Sequence, residues 1–570
     1  MDPRVTVSGK PVDEKPKVTR RMPILVWAAV VLMLAVAIGI WQFYVRRPSV
    51  EPASKEKMAF PLPDKPSIAV LPFVNMSDDP NQEYFSDGIT EDLITDLSKI
   101  SGLFIIARNS TFAYKGKPVK IRQVAEELGV RYVLEGSVRK AQDQVRINAQ
   151  LIDATTGHHI WAERYDGKLE DIFALQDKVT QKIVKELAVK LTMAEREHVL
   201  RRETDNILAY EAYLKGSNHY GRFNPDDLAK AVFYFNKAIE LDPNYGRAYA
   251  ALALAYKRAN DVAWVGSLKT NNEEAWIWTR IYLRLAMKEP TSLVHQLASK
   301  LNIYQRLYKE AITEAEQAIA LDPNDPGSYH AMAEALIWSG RSDEAVDFIK
   351  KAMRLDPHKL APYLYLLDLA RFSLEQMQDA AALIERALTL RPETYIWRTT
   401  LAVVYVSLGR IKEAQAYVAI FNVPLTGADP LRLLMHRYPF KNLEVSERFA
   451  DGLFKAGIVG ERSGYYKVYA KNRLTGEEIR RLVFGLKVSS WEGIIDRTKD
   501  GKATISRGFF YSENGKSWVE NDKLCNQWQT LRRGIKHCAP VFRNPEGTPD
   551  GLDEYLWITD RNFITFSPVD

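Results

Sequence analysis

Cysteine is nearly absent: two residues among 570, Cys525 and Cys538, with no CxxC pair. A cysteine-built structural zinc site would need several histidines to complete it. The nine histidines are scattered. Their one adjacent pair, His158-His159, falls where a turn is expected to enter a strand, and successive strand side chains face opposite sides. Also missing are HExxH, Walker A, GxSxG and GxGxxG arrangements, which withdraws sequence support for metalloproteases, P-loop enzymes, α/β hydrolases and dinucleotide enzymes. Charge of one sign is lacking too: 78 basic against 72 acidic residues leave +6. That bias is too weak for nucleic acid as the main partner. No catalytic residue, metal site or cofactor is predicted, and the chain reads as noncatalytic.

What is present is an ordinary folded composition, 46% apolar and 26% charged, at a length that calls for about three or four folded units. Residues 24–45, ILVWAAVVLMLAVAIGIWQFYV, carry no charge, and at ~1.5 Å per residue such a run crosses a bilayer's hydrocarbon core. Trp27 at one end and Trp41, Phe43 and Tyr44 at the other suit membrane interfaces. The reading is a tail (1–22), a transmembrane helix (23–45), and a linker (46–66) extended by Pro48, Pro52, Pro61, Pro63 and Pro66. A tail this short has no capacity for a folded function, so it is placed in the cytoplasm and the bulk outside. Cys525 and Cys538 permit a disulfide in an oxidising compartment or free thiols in a reducing one; under this topology the disulfide is expected.

From 67 to 195 strand and helix patterns alternate. IAVLPF (68–73) and LFIIAR (103–108) fit buried strands, and 84–99 has helical spacing of Ile89, Leu93, Ile94 and Leu97. VAEELGV (124–130) predicts a short helix ended by Gly129. RYVLEGSVRK and QVRINAQLIDA predict a hairpin turning at 141–144, HHIWAERYD a further strand, and 169–191 an amphipathic helix. The blocks IAVLPF, YFSDGITEDLITDLSKI, GVRYVLEGSVRK, QLIDATTG, IWAERYD and DIFALQD resemble the domain related to the TolB amino-terminal domain. That domain accompanies bacterial class III adenylate cyclases and membrane-bound transcription regulators. In such proteins a cytoplasmic catalytic or DNA-binding domain precedes the span, and here only the short tail 1–22 does. The resemblance implies a bacterial inner-membrane protein with one pass. The carboxylates Asp87, Glu91, Asp92 and Asp96 are read as complementing the start of the helix dipole.

Residues 205–425 repeat. IELDPN (239–244), IALDPN (319–324), MRLDPH (353–358) and LTLRPE (388–393) mark the period, and Pro323, Pro357 and Pro392 follow one another at about 34 residues. Alanines stand twelve and five positions before each proline: Ala231 and Ala238, Ala311 and Ala318, Ala345 and Ala352, Ala380 and Ala387. This resembles the tetratricopeptide family, in which stacked helical hairpins make a superhelix whose inner groove holds peptides. Six hairpins are predicted, with an insertion at 261–274. Helical phase turns Arg247, Lys257, His330, Glu334, Asp368 and Arg371 away from the packing rows, which makes them candidate partner-binding residues. His330 and Glu334, one turn apart, are placed to pair.

Residues 445–570 read as a β-rich domain, with a helix at 474–485, turn signals at Gly508 and Asn514-Gly515, and Trp491, Trp518, Trp528 and Trp557 available to its core. The whole is expected to be a membrane-anchored scaffold or sensor that binds protein or peptide partners in the cell envelope. The alternative is a component of an adenylate-cyclase-like signalling system, as its receptor half or a divergent cyclase.

Overall fold

The structure, a computed structural model, describes residues 33, 51–419, 430–459, 472–490, 493–507, 511–529, 536–544, 554–558 and 563–569. Among these no helix is long and apolar enough to cross a membrane. The predicted tail and span, Met33 apart, lie outside the described residues, as do Trp491 and Gly508.

The first unit is a mixed sheet. Ser67–Val70 (β1), Val74–Asn75 (β2), Phe104–Ile105 (β3), Tyr132–Ala141 (β4), Gln144–Asp153 (β5) and His158–Lys168 (β6) are ordered β3-β1-β4-β5-β6, with β2 pairing β4. β1 lies parallel to both neighbours, and β4, β5 and β6 are antiparallel. Four buried residues in β1 fit its central place. Helices Glu83–Ser98 (α1), Arg108–Phe112 (α2), Ile121–Leu128 (α3) and Ile172–Glu186 (α4) cover it. Ile89, Leu93, Leu97, Ile172, Val179 and Ile183 join β4 and β5 in one core. Gly129 ends α3 at φ +62°, a left-handed cap that glycine adopts without strain. LFIIAR shrinks to a two-residue strand because its end turns outward: the Ala107 amide donates to the Leu355 carbonyl of the repeats at 2.9 Å.

Met193–Leu200 (α5) leads into six hairpins. They pair Ile207–Gly221 (α6) with Pro225–Leu241 (α7), Gly246–Asp261 (α8) with Asn272–Ala286 (α9), and Ser292–Tyr304 (α10) with Tyr308–Leu321 (α11). Pro326–Ser339 (α12) with Ser342–Leu355 (α13), Leu360–Ser373 (α14) with Met377–Leu390 (α15), and Tyr395–Ser407 (α16) with Ile411–Val418 (α17) complete them. All eight marker alanines are fully buried, because a side chain larger than methyl there would force adjacent helices apart. The insertion becomes the loop 262–271, with one 3-10 turn at Val265–Leu268, and the first residues of α9.

The α/β unit is joined to the repeats through the LDP turns. Asp322 accepts the Ser98 hydroxyl at 2.8 Å; one repeat further on, Asp356 accepts Ser110 at 2.6 Å and Asn109 at 3.1 Å. Asn324 donates to the carbonyls of Ser98 and Ile100, and Arg354 to those of Leu128 and Gly129. At the fourth turn Arg391 replaces the aspartate and is exposed. The carboxylates read as dipole partners make ion pairs instead: Asp92 with Arg247 of the repeats, Glu91 with Arg108, and Asp87 with Lys115. They lie on the second to fourth turns of α1, past the helix start, where the dipole's field has fallen away.

Beyond the sixth hairpin come Pro430–Arg437 (α18) and Leu443–Lys455 (α19). Val445, Phe449, Ala450 and Leu453 belong to the repeat core, so α19, placed by its sequence position with the β-rich domain, packs with the repeats. Then Gly476–Val483 (α20) precedes nine antiparallel strands, Lys487–Ser490 (β7), Gly493–Arg497 (β8), Lys502–Arg507 (β9), Tyr511–Glu520 (β10), Lys523–Trp528 (β11), His537–Ala539 (β12), Val541–Arg543 (β13), Tyr555–Ile558 (β14) and Phe563–Val569 (β15). Their order is β12-β11-β10-β9-β8-β7-β15-β14-β13. The edge strands β12 and β13 are separated only by Pro540, so the sheet rolls up. Trp557 of β14 donates to the carbonyls of Leu524 and Ala539 across the join. Trp528 and Trp557 are buried in this core together with Ile479 and Val483 of α20.

Asn514-Gly515, expected to turn, runs inside β10. The glycine serves packing: a Cβ on it would stand 2.5 Å from the Trp528 ring and 2.6 Å from the Gln527 carbonyl. Gly515→Ala is expected to cost about 1–3 kcal/mol through overpacking, read as a lower denaturation midpoint by Trp528 fluorescence.

Cys525 and Cys538 face each other across β11 and β12 and are disulfide-bonded. At a sequence separation of 13, loop entropy assigns the bond about 3 kcal/mol. The Cys525→Ala/Cys538→Ala chain should lose about that much in guanidinium unfolding of the β domain, and wild type in reductant should match it.

Candidate functional site

The first helices of the hairpins line the inner face of the superhelix. Along this inner face residues recur at the repeat period: Lys300, Glu334 and Asp368 in one row, and Tyr304, Trp338 and Phe372 in another. One row is charged, the other aromatic. Lys300 pairs with Glu334 at 2.7 Å, an ion pair that bridges the third and fourth hairpins. The neighbouring ammonium and imidazole hold Glu334 below its usual range, although burial opposes them.

The candidate residues fall into different settings. Arg247 is taken by the α/β unit, donating to Asp92 at 2.8 Å over the Tyr213 ring. Lys257 is buried and bonds Asp261 on its own helix at 2.5 Å. Arg371 donates to Gln376. Glu334 takes Lys300 rather than His330 as its hydrogen-bond partner. His330 lies edge-on to Tyr363, and burial pushes its pKa down to about 4. Its folded pKa is below the unfolded value, so its neutral form favours the native state, and that advantage is lost as pH falls from about 6.5. His330→Leu should therefore lose less stability than wild type between pH 7 and pH 4, compared by urea midpoints.

Asp368 has no exposed surface, and neither carboxylate oxygen has a hydrogen-bond partner. Around it the inner face is covered by the chain itself. Residues 438–455 fold back over the inner face from the sixth hairpin to the third. The Tyr438 hydroxyl meets Thr399 and Thr400 of α16 at 2.8 and 3.1 Å. Pro439 accepts the Tyr308 hydroxyl at 2.7 Å, and the Lys441 amide donates to the Trp338 carbonyl. Phe440 lies edge-on to Trp338, and Phe449 edge-on to Phe372. Gly452 sits against Val403, where a Cβ would approach to 2.7 Å. Val403 is the counterpart of Asp368 in the next hairpin. Position within one repeat indicated which residues share this face; it carried no signal that a segment two repeats downstream covers them.

A second concavity opens in the α/β unit. Past the carboxyl end of β1, against the middle of β4, β5 and β6, lies a cleft of about 860 Å³. Asn75, Lys115, Ser137, Asn148, Gln150 and Arg164 line it. None of these residues stood out in sequence, since single polar residues alternating along a strand read as its solvent face.

Residues 64–182 match a family model described as HilA/YgeH-like transcriptional regulator, second domain. Residues 226–245 match a tetratricopeptide repeat model, and 304–387 one described as anaphase-promoting complex, cyclosome, subunit 3. The helical array is a tetratricopeptide superhelix. A Rhizobium meliloti (strain 1021) protein named "Putative adenylate cyclase 3" is 45% identical over 284 residues, 50% of this chain and 42% of its own. Superkiller protein 3 of Schizosaccharomyces pombe (strain 972 / ATCC 24843) is 23% identical over 237 residues, 39% of this chain and 16% of its own. The chain thus spans less than half the length of either curated relative. Among solved structures, a thermophilic tetratricopeptide protein of Thermus thermophilus is 20% identical, covering 43% of this chain and 99% of its own at a TM-score of 0.22.

Proposed function

We propose that the chain is a noncatalytic scaffold or sensor, held in a bacterial inner membrane by residues 24–45, with its tail in the cytoplasm and the rest in the periplasm. Its partners are proteins or peptides of the envelope, bound by the superhelix and by a TolB-like α/β domain. The observation that carries this reading is the inner face itself, with its period-matched charged and aromatic rows. The disulfide between Cys525 and Cys538 supports an oxidising compartment. Reporters active only in the cytoplasm or only in the periplasm, fused after Lys65 and after Asp570, test the topology. Periplasmic activity at both sites is the expected result, and cytoplasmic activity at both sinks it.

The name of the Rhizobium meliloti relative favours a second reading, in which the chain serves a cyclase-linked signalling system as its receptor half or as a divergent cyclase. Cyclic AMP formed by the purified chain above a vector control would establish the catalytic version. Loss of a signalling phenotype on deleting residues 24–45 would establish the receptor version.

A further inference from the structure

The charged row on the inner face is one cation short. Lys300 neutralises Glu334, but the next member, Asp368, is followed by Val403 and meets no basic group among the described residues. A carboxyl with both oxygens unpaired is costly to bury even when it keeps its proton, and a cation within reach would let it ionise. The aromatic row beside it is satisfied in a revealing way. Trp338 and Phe372 are covered by Tyr438, Phe440 and Phe449, which lie in α19 and the bent stretch before it, a segment that reaches from the third hairpin to the sixth. A capping helix would stack only on the last hairpin. This segment lies where a bound peptide would lie, fills the aromatic sites, and leaves the acidic one unmet. Tyr365, one turn before Asp368 on α14, has both Tyr438 and Asp368 as electrostatic neighbours, which makes the register of Tyr438 the place to offer the acid a cationic side chain.

We propose that the inner face of the fourth to sixth hairpins is the docking site for a partner segment carrying a lysine or arginine between aromatic side chains, and that residues 438–449 occupy it as an internal stand-in. The proposal rests on the scaffold reading and names the chemistry of the partner. The cation completes the row Lys300, Glu334, Asp368 and the aromatics replace Phe440 and Phe449 on Trp338 and Phe372. The free protein keeps the face closed, so a partner without the cation gains nothing over the segment it must displace.

Two fluorescent peptides serve as probes: residues 434–449 as they stand, and the same peptide with Tyr438→Lys. Each is titrated by anisotropy against the full chain carrying Phe440→Ala and Phe449→Ala, which loosens the internal segment. The lysine peptide should bind tighter by on the order of tenfold or more, the scale of a buried charge pair, and Asp368→Asn in the chain should erase the advantage. Equal binding of the two peptides, or an advantage that survives Asp368→Asn, overturns the proposal while leaving the inner face as a peptide site. If neither peptide binds although hydrogen exchange shows 443–455 released, the scaffold reading of this face fails with it. Should the double variant not fold, the wild-type chain carries the test: the lysine peptide should speed exchange across 443–455, and no change overturns the proposal.

Discussion

Asp356→Ala should lower the stability of the joined α/β unit and repeats by about 3 kcal/mol and separate one calorimetric transition into two. Asp356 is fully buried and accepts from Ser110 and Asn109 across the joint. Removing it forfeits two hydrogen bonds to a charged group, each about 1.5–3 kcal/mol, and leaves Asn109 and Ser110 to find new acceptors. The loss falls on the joint, because the alanines that hold α13 to its neighbours are untouched. Ser110→Ala alone should cost less, since Asp356 keeps Asn109, and the two substitutions together should fall short of additivity by about 0.5–3 kcal/mol, as groups in one network do. An unchanged single transition in Asp356→Ala would mean that the turns touch the α/β unit without holding it.

Asp368→Leu is the opposite case, a substitution expected to stabilise. Leucine trades an unpaired buried carboxyl for apolar volume, a change worth on the order of 2–4 kcal/mol at neutral pH. Burial raises the Asp368 pKa well above its ordinary value. The native state therefore holds a proton that the unfolded chain has released above about pH 3.9, and stability falls as pH rises from there. The gain from leucine should accordingly be small at pH 4 and large at pH 7, measured as the shift in urea midpoint. A gain that does not vary with pH would show that Asp368 titrates normally. The same variant should lose the lysine preference described above, so stability and recognition are expected to move in opposite directions.

The repeats were legible because their packing is local. A methyl-sized residue at Ala345 or Ala380 and a proline where the helix must stop repeat at a fixed spacing that one hairpin dictates to the next. The hairpin turning at Ala141–Gln144 was legible for the same reason. The LDP aspartates were in plain view as turn markers, yet Ser98 and Ser110 stand 224 and 246 residues upstream of the carboxylates they meet, and no periodicity joins the two stretches. Asp368 shows the limit most directly. Helical phase turns it away from the packing rows, where charge suggests solvent, yet in the fold it has no accessible surface, and residues 438–455 pack over the neighbouring Trp338 and Phe372. Asn514-Gly515 failed differently: the dipeptide that most often turns a chain was selected here for the space a tryptophan ring needs.

The rolled sheet sets an order of assembly. Its first strand in the chain, β7, pairs with its last, β15, which also pairs with β14. Until residues 563–569 emerge from the ribosome, β7 and β14 are both bare edges, open to any passing strand. Closure of so sequence-distant a pair is slow compared with the helical hairpins, whose contacts are local. The superhelix can therefore be finished while the β domain is still waiting for its final strand, and the interval between the two is when this chain is most exposed to misassembly.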